Sequence, residues 1–315
     1  MSTVRVIKPG LLTTIQDLGR WGLQSRGVPV GGPMDVPSHR LANALVGNRR
    51  DAATLEVTIT GPELEFDDDR IVAVTGGQFE IAIDSHPVAG GTALKVGCGS
   101  RLIVGRRVRG ARAYIAVGGG INVPPVFGSR ATNLVCALGG VEGRPLKVGD
   151  LLPVGDPSAP DLMTIKHRPF PPLPLDRHAR VRVLPGPQHD RFSADALDLL
   201  QAGPYTLDQR SDRMGFHLRG HRLSHVRGAD IISDATPMGA IQVPGSGLPI
   251  LLMADRQTTG GYPKIATTIT ADLPVAGQLA PGDTISFVVC SHAEALAALI
   301  AQERALMGTE RQESV

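Results

Sequence analysis

The chain has 315 residues, 42% of them apolar and 20% charged, with a net charge of +2. Length and composition support two ordinary globular domains, and the mixture of acids and bases excludes an electrostatic footprint for nucleic acid or an anionic membrane. Aromatics at 3% exclude base-stacking platforms, and three widely spaced cysteines, Cys98, Cys136 and Cys290, argue for free thiols in a reducing interior.

The opening stretch MSTVRVIKPG holds no apolar leader. No later run approaches the roughly 20 apolar residues of a membrane span, so a cytoplasmic protein is expected. Within 13–20, Arg20 can clamp a carboxylate or phosphate through two parallel hydrogen bonds, and Asp17 either steers it or pairs with it. Asp35 caps a predicted helix with Leu41, Ala44 and Leu45 on one face, and Gly47 stops it. Short β-branched runs between Gly and Pro then read as strands at 71–75, 79–83, 101–104 and 112–117. Residues 157–178 are proline-rich and read as a linker, dividing a first half (1–156) from a second (179–308), with a polar tail at 309–315.

In the second half, strands are expected at 180–184, 250–254 and 284–289. One helix starts at Ser193 and presents Leu197 and Leu200. The last has a capping box of Ser291 and Glu294, a stripe of Leu296, Leu299 and Ile300, and an end at Gly308. Strand–helix alternation is missing, so the expected class is mainly β, with two barrel halves and a few short helices. The halves share an Arg-x-Gly core (Arg20 and Gly22; Arg213 and Gly215), Pro-Met pairs (33–34 and 237–238) and Gly-Asp turns (149–150 and 282–283). These read as a diverged duplication.

Most chemical signatures are absent: there is no GxxxxGK[ST], HExxH or paired CxxC. GGG at 118–120 and GCG at 97–99 read as tight turns. Ser246 is no nucleophile elbow because residue 244 is proline. Cys136 reads as an inert buried thiol with no base beside it. His217, His221 and His225 lie in a segment that alternates like a strand, where neighbours four apart are about 13 Å from one another; no metal site is expected.

Segment 253–264 differs. It is polar, lies between two apolar runs, and brings together Asp255, Gln257, Thr258, Thr259, Gly260, Gly261 and Lys264. Two glycines allow close backbone approach, hydroxyls and an amide surround them, and an acid and a cation flank the set. Such a loop either cradles a small amide or forms a well-bonded hairpin turn.

TTIQDLGRWG (13–22), GGPMDVPSHRLANALVGN (31–48), LPGPQHDRF (184–192), SDRMGFHLRG (211–220) and MADRQTTGGYPKIA (253–266) together resemble the allophanate hydrolase subunit 2 family, also described as biotin-dependent carboxyltransferase-like proteins. The likeness implies two cyclophilin-like β-barrels and a partner of kinase-inhibitor type, subunit 1, also called the B-type subunit. It further implies a small amide substrate and ATP used by the complex; an A-type subunit takes part in the lactam-opening members. The activity implied is ATP-dependent opening of 5-oxoproline to L-glutamate. A carboxyltransferase component of a urea carboxylase/allophanate system and a regulatory antagonist are the alternatives. The resemblance carries a ligand cleft onto Asp17, Arg20, Arg213, Asp255, Gln257, Thr258 and Lys264, with Thr259, Gly260 and Gly261 beside them. The match fixes no individual roles; by residue type and loop context Asp255 would hold the lactam N–H, the Gly260-Gly261 amides its oxygen, and Arg20, Arg213 or Lys264 would neutralise a phosphate. No Met-Lys-Met segment occurs, so biotin is not expected on this chain, and the ATP position is left to the complex.

Overall fold

The computed structural model describes residues 2–156 and 173–310. The expected linker lies outside these residues except for 173–178, and the polar tail except for 309 and 310. The chain divides into two compact units, one of residues 1–20, 31–173 and 303–315, the other of 21–30 and 174–302. Among the described residues no helix is long and apolar enough to cross a membrane.

Nine strands build the first unit: β1 (Thr3–Lys8), β2 (Leu12–Gln16), β3 (Thr54–Thr58), β4 (Glu63–Phe66), β5 (Arg70–Ile83), β6 (His86–Pro87), β7 (Ala93–Val96), β8 (Arg101–Val117) and β9 (Leu151–Pro153). They form one half-barrel sheet in the order β2-β3-β8-β4-β1-β9, with β5 joining β8 to β6 and β7. Its inner face buries Val6, Ile15, Leu55, Val57, Leu64, Leu102 and Ile115. The runs read as separate strands at 71–75 and 79–83 are one strand, and so are 101–104 and 112–117. Their ladder shifts register between Gly76 and Ile81, because bulges let pairing continue through Gly76-Gly77 where strict alternation fails.

Helix α1 (Val36–Leu45) forms as its sequence requires. The Asp35 carboxylate accepts from Ser38 N at 3.0 Å, and Gly47 at φ +74° supplies the left-handed exit. Ala42, Leu45 and Val46 pack on Ala73, Tyr114 and Ala116 of β5 and β8.

The second unit holds β10 (His178–Pro185), β11 (Tyr205–Leu207), β12 (Gly215–Arg219), β13 (Asp234–Ala235), β14 (Ala240–Gln242), β15 (Ile250–Leu252), β16 (Thr259–Gly260), β17 (Lys264–Thr268) and β18 (Thr284–Val289). Seven of them close a barrel in the order β10-β17-β14-β15-β12-β11-β18, sealed by the parallel pair β10–β18. Alternation along β10 and β18 turns Val181, Val183, Ile285 and Phe287 inward. β13 and β16 form a separate two-stranded ribbon. The mainly β class with a closed barrel and few helices is therefore found as expected.

Helices α2 (Ala196–Gln201), α3 (Leu273–Gly277) and α4 (His292–Glu310) complete the fold. Helix α3, only five residues long, was not anticipated, since so short a run carries no periodicity. The α4 capping box is present: Ser291 N donates to Glu294 Oε2 at 2.7 Å and Glu294 N to Ser291 Oγ at 3.2 Å. Two expectations for α4 are corrected. It runs past Gly308, because one glycine inside a helix is tolerated at modest cost, and Leu296 and Ile300 are exposed while Leu306 is buried.

Candidate functional site

The expected site residues fall in both units, Asp17 and Arg20 in the first and the others in the second; each set has its own surroundings.

In the first unit the polar groups at the end of β2 and just after it bind the protein itself, mostly its backbone. Asp17 accepts from Gly19 N at 2.9 Å, Ser129 Oγ at 2.6 Å and Arg130 N at 2.5 Å. Arg20 is buried and donates to the carbonyls of Ala131 and Val126. Gln16 adds a bond from Nε2 to Thr132 O at 3.0 Å. These groups hold the turns that follow residue 125, in which Phe127 and Ala137 sit at φ +51° and +50°. Non-glycine residues persist in that conformation only where their surroundings over-determine it. Asp17 and Arg20 are thus not a surface salt bridge. Cys136, read as buried, is exposed beyond the Asn133–Leu138 bridge, where no core covers it.

In the second unit the loop 253–264 leaves β15 and returns as β17; the two strands flank β14 and do not pair with each other, so the segment is not a simple hairpin turn. Arg213 and Asp255 meet at its start. Nε and Nη2 of the guanidinium donate to the two carboxylate oxygens at 2.9 and 3.0 Å, with side chains 4% and 2% exposed. That bidentate fork directs the carboxylate toward the protein. Arg256 donates to Thr236 O at 2.7 Å and Met253 O at 3.3 Å, and burial brings its guanidinium down to about 10. Thr236 N donates to Thr258 O at 3.1 Å, and the Thr236 hydroxyl donates to Gln257 O. Through these bonds and the β13–β16 ribbon the loop is tied to the segment before β14: exposed Thr259 pairs with Ala235 and Gly260 with Asp234.

Lys264 starts β17 inside the barrel wall. Its ammonium donates to Asp234 Oδ2 at 2.6 Å and Ala235 O at 3.0 Å; the lysine side chain is 2% exposed and the aspartate side chain 48%. Gln188 bridges the pair: its Nε2 donates to Asp234 Oδ2 at 3.1 Å and its Oε1 accepts from Lys264 N at 3.1 Å. The Lys264 ammonium first, and the Gln188 amide second, hold the Asp234 carboxyl below its ordinary range. Next to them Gln257 Nε2 donates to Gln242 Oε1 at 3.3 Å, and Gln242 Nε2 to Tyr262 O at 3.4 Å. A Cβ on Gly260 would lie 2.5 Å from Gln242 Nε2 and 3.2 Å from Gln257 Nε2, so this glycine makes room for both amides. Ile231 N donates to Gly261 O at 2.8 Å.

Five of the expected residues, Gln257 to Gly261, thus share one ribbon junction with Lys264, while Arg213 and Asp255 bind each other. Sequence reasoning missed Gln188, Asp234, Thr236 and Gln242. Gln188 sits in the distinctive LPGPQHDRF stretch, which signals it; Asp234 lies in an ordinary-looking loop. Among the described residues no group of three His, Cys, Asp or Glu can hold a metal. β12 ends at Arg219, leaving His221 and His225 beyond it: His221 meets the Tyr205 ring edge-on, and His225 lies against Phe192.

A model of the carboxyltransferase domain, subdomain A and B, matches residues 26–289. The chain is 41% identical over 301 residues to a protein of Escherichia coli K12 named as the C subunit of 5-oxoprolinase, covering 96% of each. It is 38% identical to one so named from Haemophilus influenzae, covering 90% of this chain and 89% of the other. The crystal structure of the Kluyveromyces lactis urea amidolyase superposes with a TM-score of 0.90 at 32% identity over 98% of this chain. The chain spans 20% of that larger protein's length.

Proposed function

Because the chain belongs to the carboxyltransferase domain family, subdomains A and B, we propose that it is the C-type subunit of an ATP-dependent 5-oxoprolinase. It would act in the cytoplasm with B-type and A-type subunits to open 5-oxoproline to L-glutamate. The observation that carries this reading is the 41% identity to the Escherichia coli 5-oxoprolinase C subunit, with 96% of both chains covered. Site chemistry is compatible with it. The ribbon junction presents the half-buried Gln188 and Gln257 amides and the half-exposed Asp234 carboxylate, set in place by buried Lys264 and Gln242, and amides and a carboxylate are groups that read the donors and acceptors of a small amide.

A lactam carbonyl resists water, and ATP would supply the complex with a way to activate it. The cations expected to neutralise a phosphate on this chain are otherwise engaged, Arg213 with Asp255, Lys264 with Asp234, and Arg20 with backbone carbonyls. We therefore assign ATP to the complex and limit this chain to binding and orienting the amide.

The urea amidolyase superposition supports a second reading, a carboxyltransferase component served by a separate biotinylated carrier. Co-expression with candidate partner subunits separates the two. ATP hydrolysis and glutamate release that depend on 5-oxoproline are expected. Turnover with urea and a biotinylated carrier, and none with 5-oxoproline, would replace the first reading by the second.

A further inference from the structure

Two carboxylates belong to the loop between β15 and β17 and the ribbon it forms with β13, Asp255 and Asp234, and only one is accessible. Asp255 is enclosed by Arg213, whereas the Asp234 side chain is 48% exposed. Asp234 stands on the ribbon outside the barrel, two residues after the almost wholly exposed Ile232. Three donors fix its carboxylate: Lys264 Nζ and Gln188 Nε2 on Oδ2, and Ala235 N on Oδ1 at 2.8 Å. A carboxylate offers about four acceptor positions, so one remains, on the Oδ1 side. Gln188 also holds the Lys264 backbone, which ties the barrel strand and the ribbon into one frame.

We propose that Asp234 accepts the N–H of the substrate lactam, with Lys264 and Gln188 as positioning residues that aim its carboxylate. The proposal rests on the reading of 5-oxoproline as substrate. A lactam presents N–H and C=O side by side on one edge of the ring. A group that only accepts hydrogen bonds takes the N–H and repels the carbonyl oxygen, so it fixes which way round the ring lies. The paired ammonium keeps Asp234 ionised, and therefore acceptor-only, throughout the neutral range. The half-buried Gln257 amide stands over Gly260, the residue paired with Asp234 in the ribbon, where it can meet the rest of a small polar ring, while buried Gln242 accepts from its Nε2 and holds it in place.

The test compares kcat/KM for 5-oxoproline and N-methyl-5-oxoproline in the reconstituted complex, with wild type, Asp234→Asn and Asp234→Glu. Wild type is expected to prefer the N–H lactam by about 10- to 100-fold, the range for a hydrogen bond to a charged group. Asp234→Asn should lose a similar factor on 5-oxoproline and leave the N-methyl rate near its wild-type value, so that discrimination collapses; Asp234→Glu should restore part of it. Lys264→Met should move the acid limb of the 5-oxoproline pH profile upward, since the carboxylate loses its cation. Equal turnover of both lactams by wild type overturns the proposal whether or not any variant assembles. So does an Asp234→Asn complex that slows both substrates in the same proportion. A wild-type complex inert toward 5-oxoproline overturns the proposed function and this assignment together. An active wild type with unaltered Asp234→Asn overturns the assignment alone.

Discussion

Arg213 and Asp255 are 42 residues apart in the chain and form a bidentate pair with side chains 4% and 2% exposed. Removing one member leaves the other buried without its counter-charge, which typically destabilises by about 3–5 kcal/mol. Asp255→Ala is expected to lose that much in chemical denaturation; a loss below about 1 kcal/mol would mean that water reaches Arg213. His39 offers a pH-dependent counterpart. It is fully buried between Thr54 Oγ1 at 2.9 Å and Asn43 Nδ2 at 3.5 Å, and burial lowers it from 6.5 to about 4. The folded state therefore binds this proton less readily than the unfolded chain. The stability tied to the neutral ring is fully present above pH 6.5, falls as pH drops toward 4, and levels off below, a total of about 3 kcal/mol. A His39→Gln variant should show a flatter stability profile across that window; an unchanged slope would assign the acid sensitivity to other groups. Neither partnership was legible in the sequence, because the residues that enclose Arg213 or His39 are set by tertiary contacts and not by neighbours in the chain.

At the scale of elements, three signals confined to a few residues survived, whereas the Gly308 stop and the helix start at Ser193 did not: α4 runs on to Glu310 and α2 begins at Ala196. The Asp35 cap, the Gly47 exit and the Ser291–Glu294 box each depend on backbone groups three or four residues away, so local sequence suffices. Strand lengths were harder to read, because β5 and β8 continue through bulges that interrupt alternation. One glycine connects an element boundary to the site. A Cβ at Gly186, just after β10, would lie 2.2 Å from Lys264 O, a backbone atom that cannot swing aside. Gly186→Ala is expected to destabilise by about 1–3 kcal/mol, as overpacking does. It should also loosen the Gln188–Lys264 tie, seen as a lower denaturation midpoint together with weaker 5-oxoproline turnover. A variant of full stability and full turnover would show that β10 and β17 separate easily.

For the whole molecule, closure of the second unit depends on pairing β10 with β18, more than 100 residues later in the chain. Truncation after Asp283 removes β18 and leaves β10 and β11 as open edges. Loss of a cooperative thermal transition, or insolubility, is expected; a melt like that of the full chain would show that the barrel does not need its last strand. The sequence by itself determined the β class, the caps and turns, the absence of familiar nucleotide and metal signatures, and the family through its long polar stretches, because each is written in contiguous residues. Only the tertiary structure decided which charges are consumed by one another and which remain accessible. Arg213 closes on Asp255, Lys264 on Asp234, and Asp17 and Arg20 on backbone. Residue type states what a side chain can bind, but long-range packing selects its partner, and Asp234 owes its half-exposed place to a ribbon that stands outside the barrel wall.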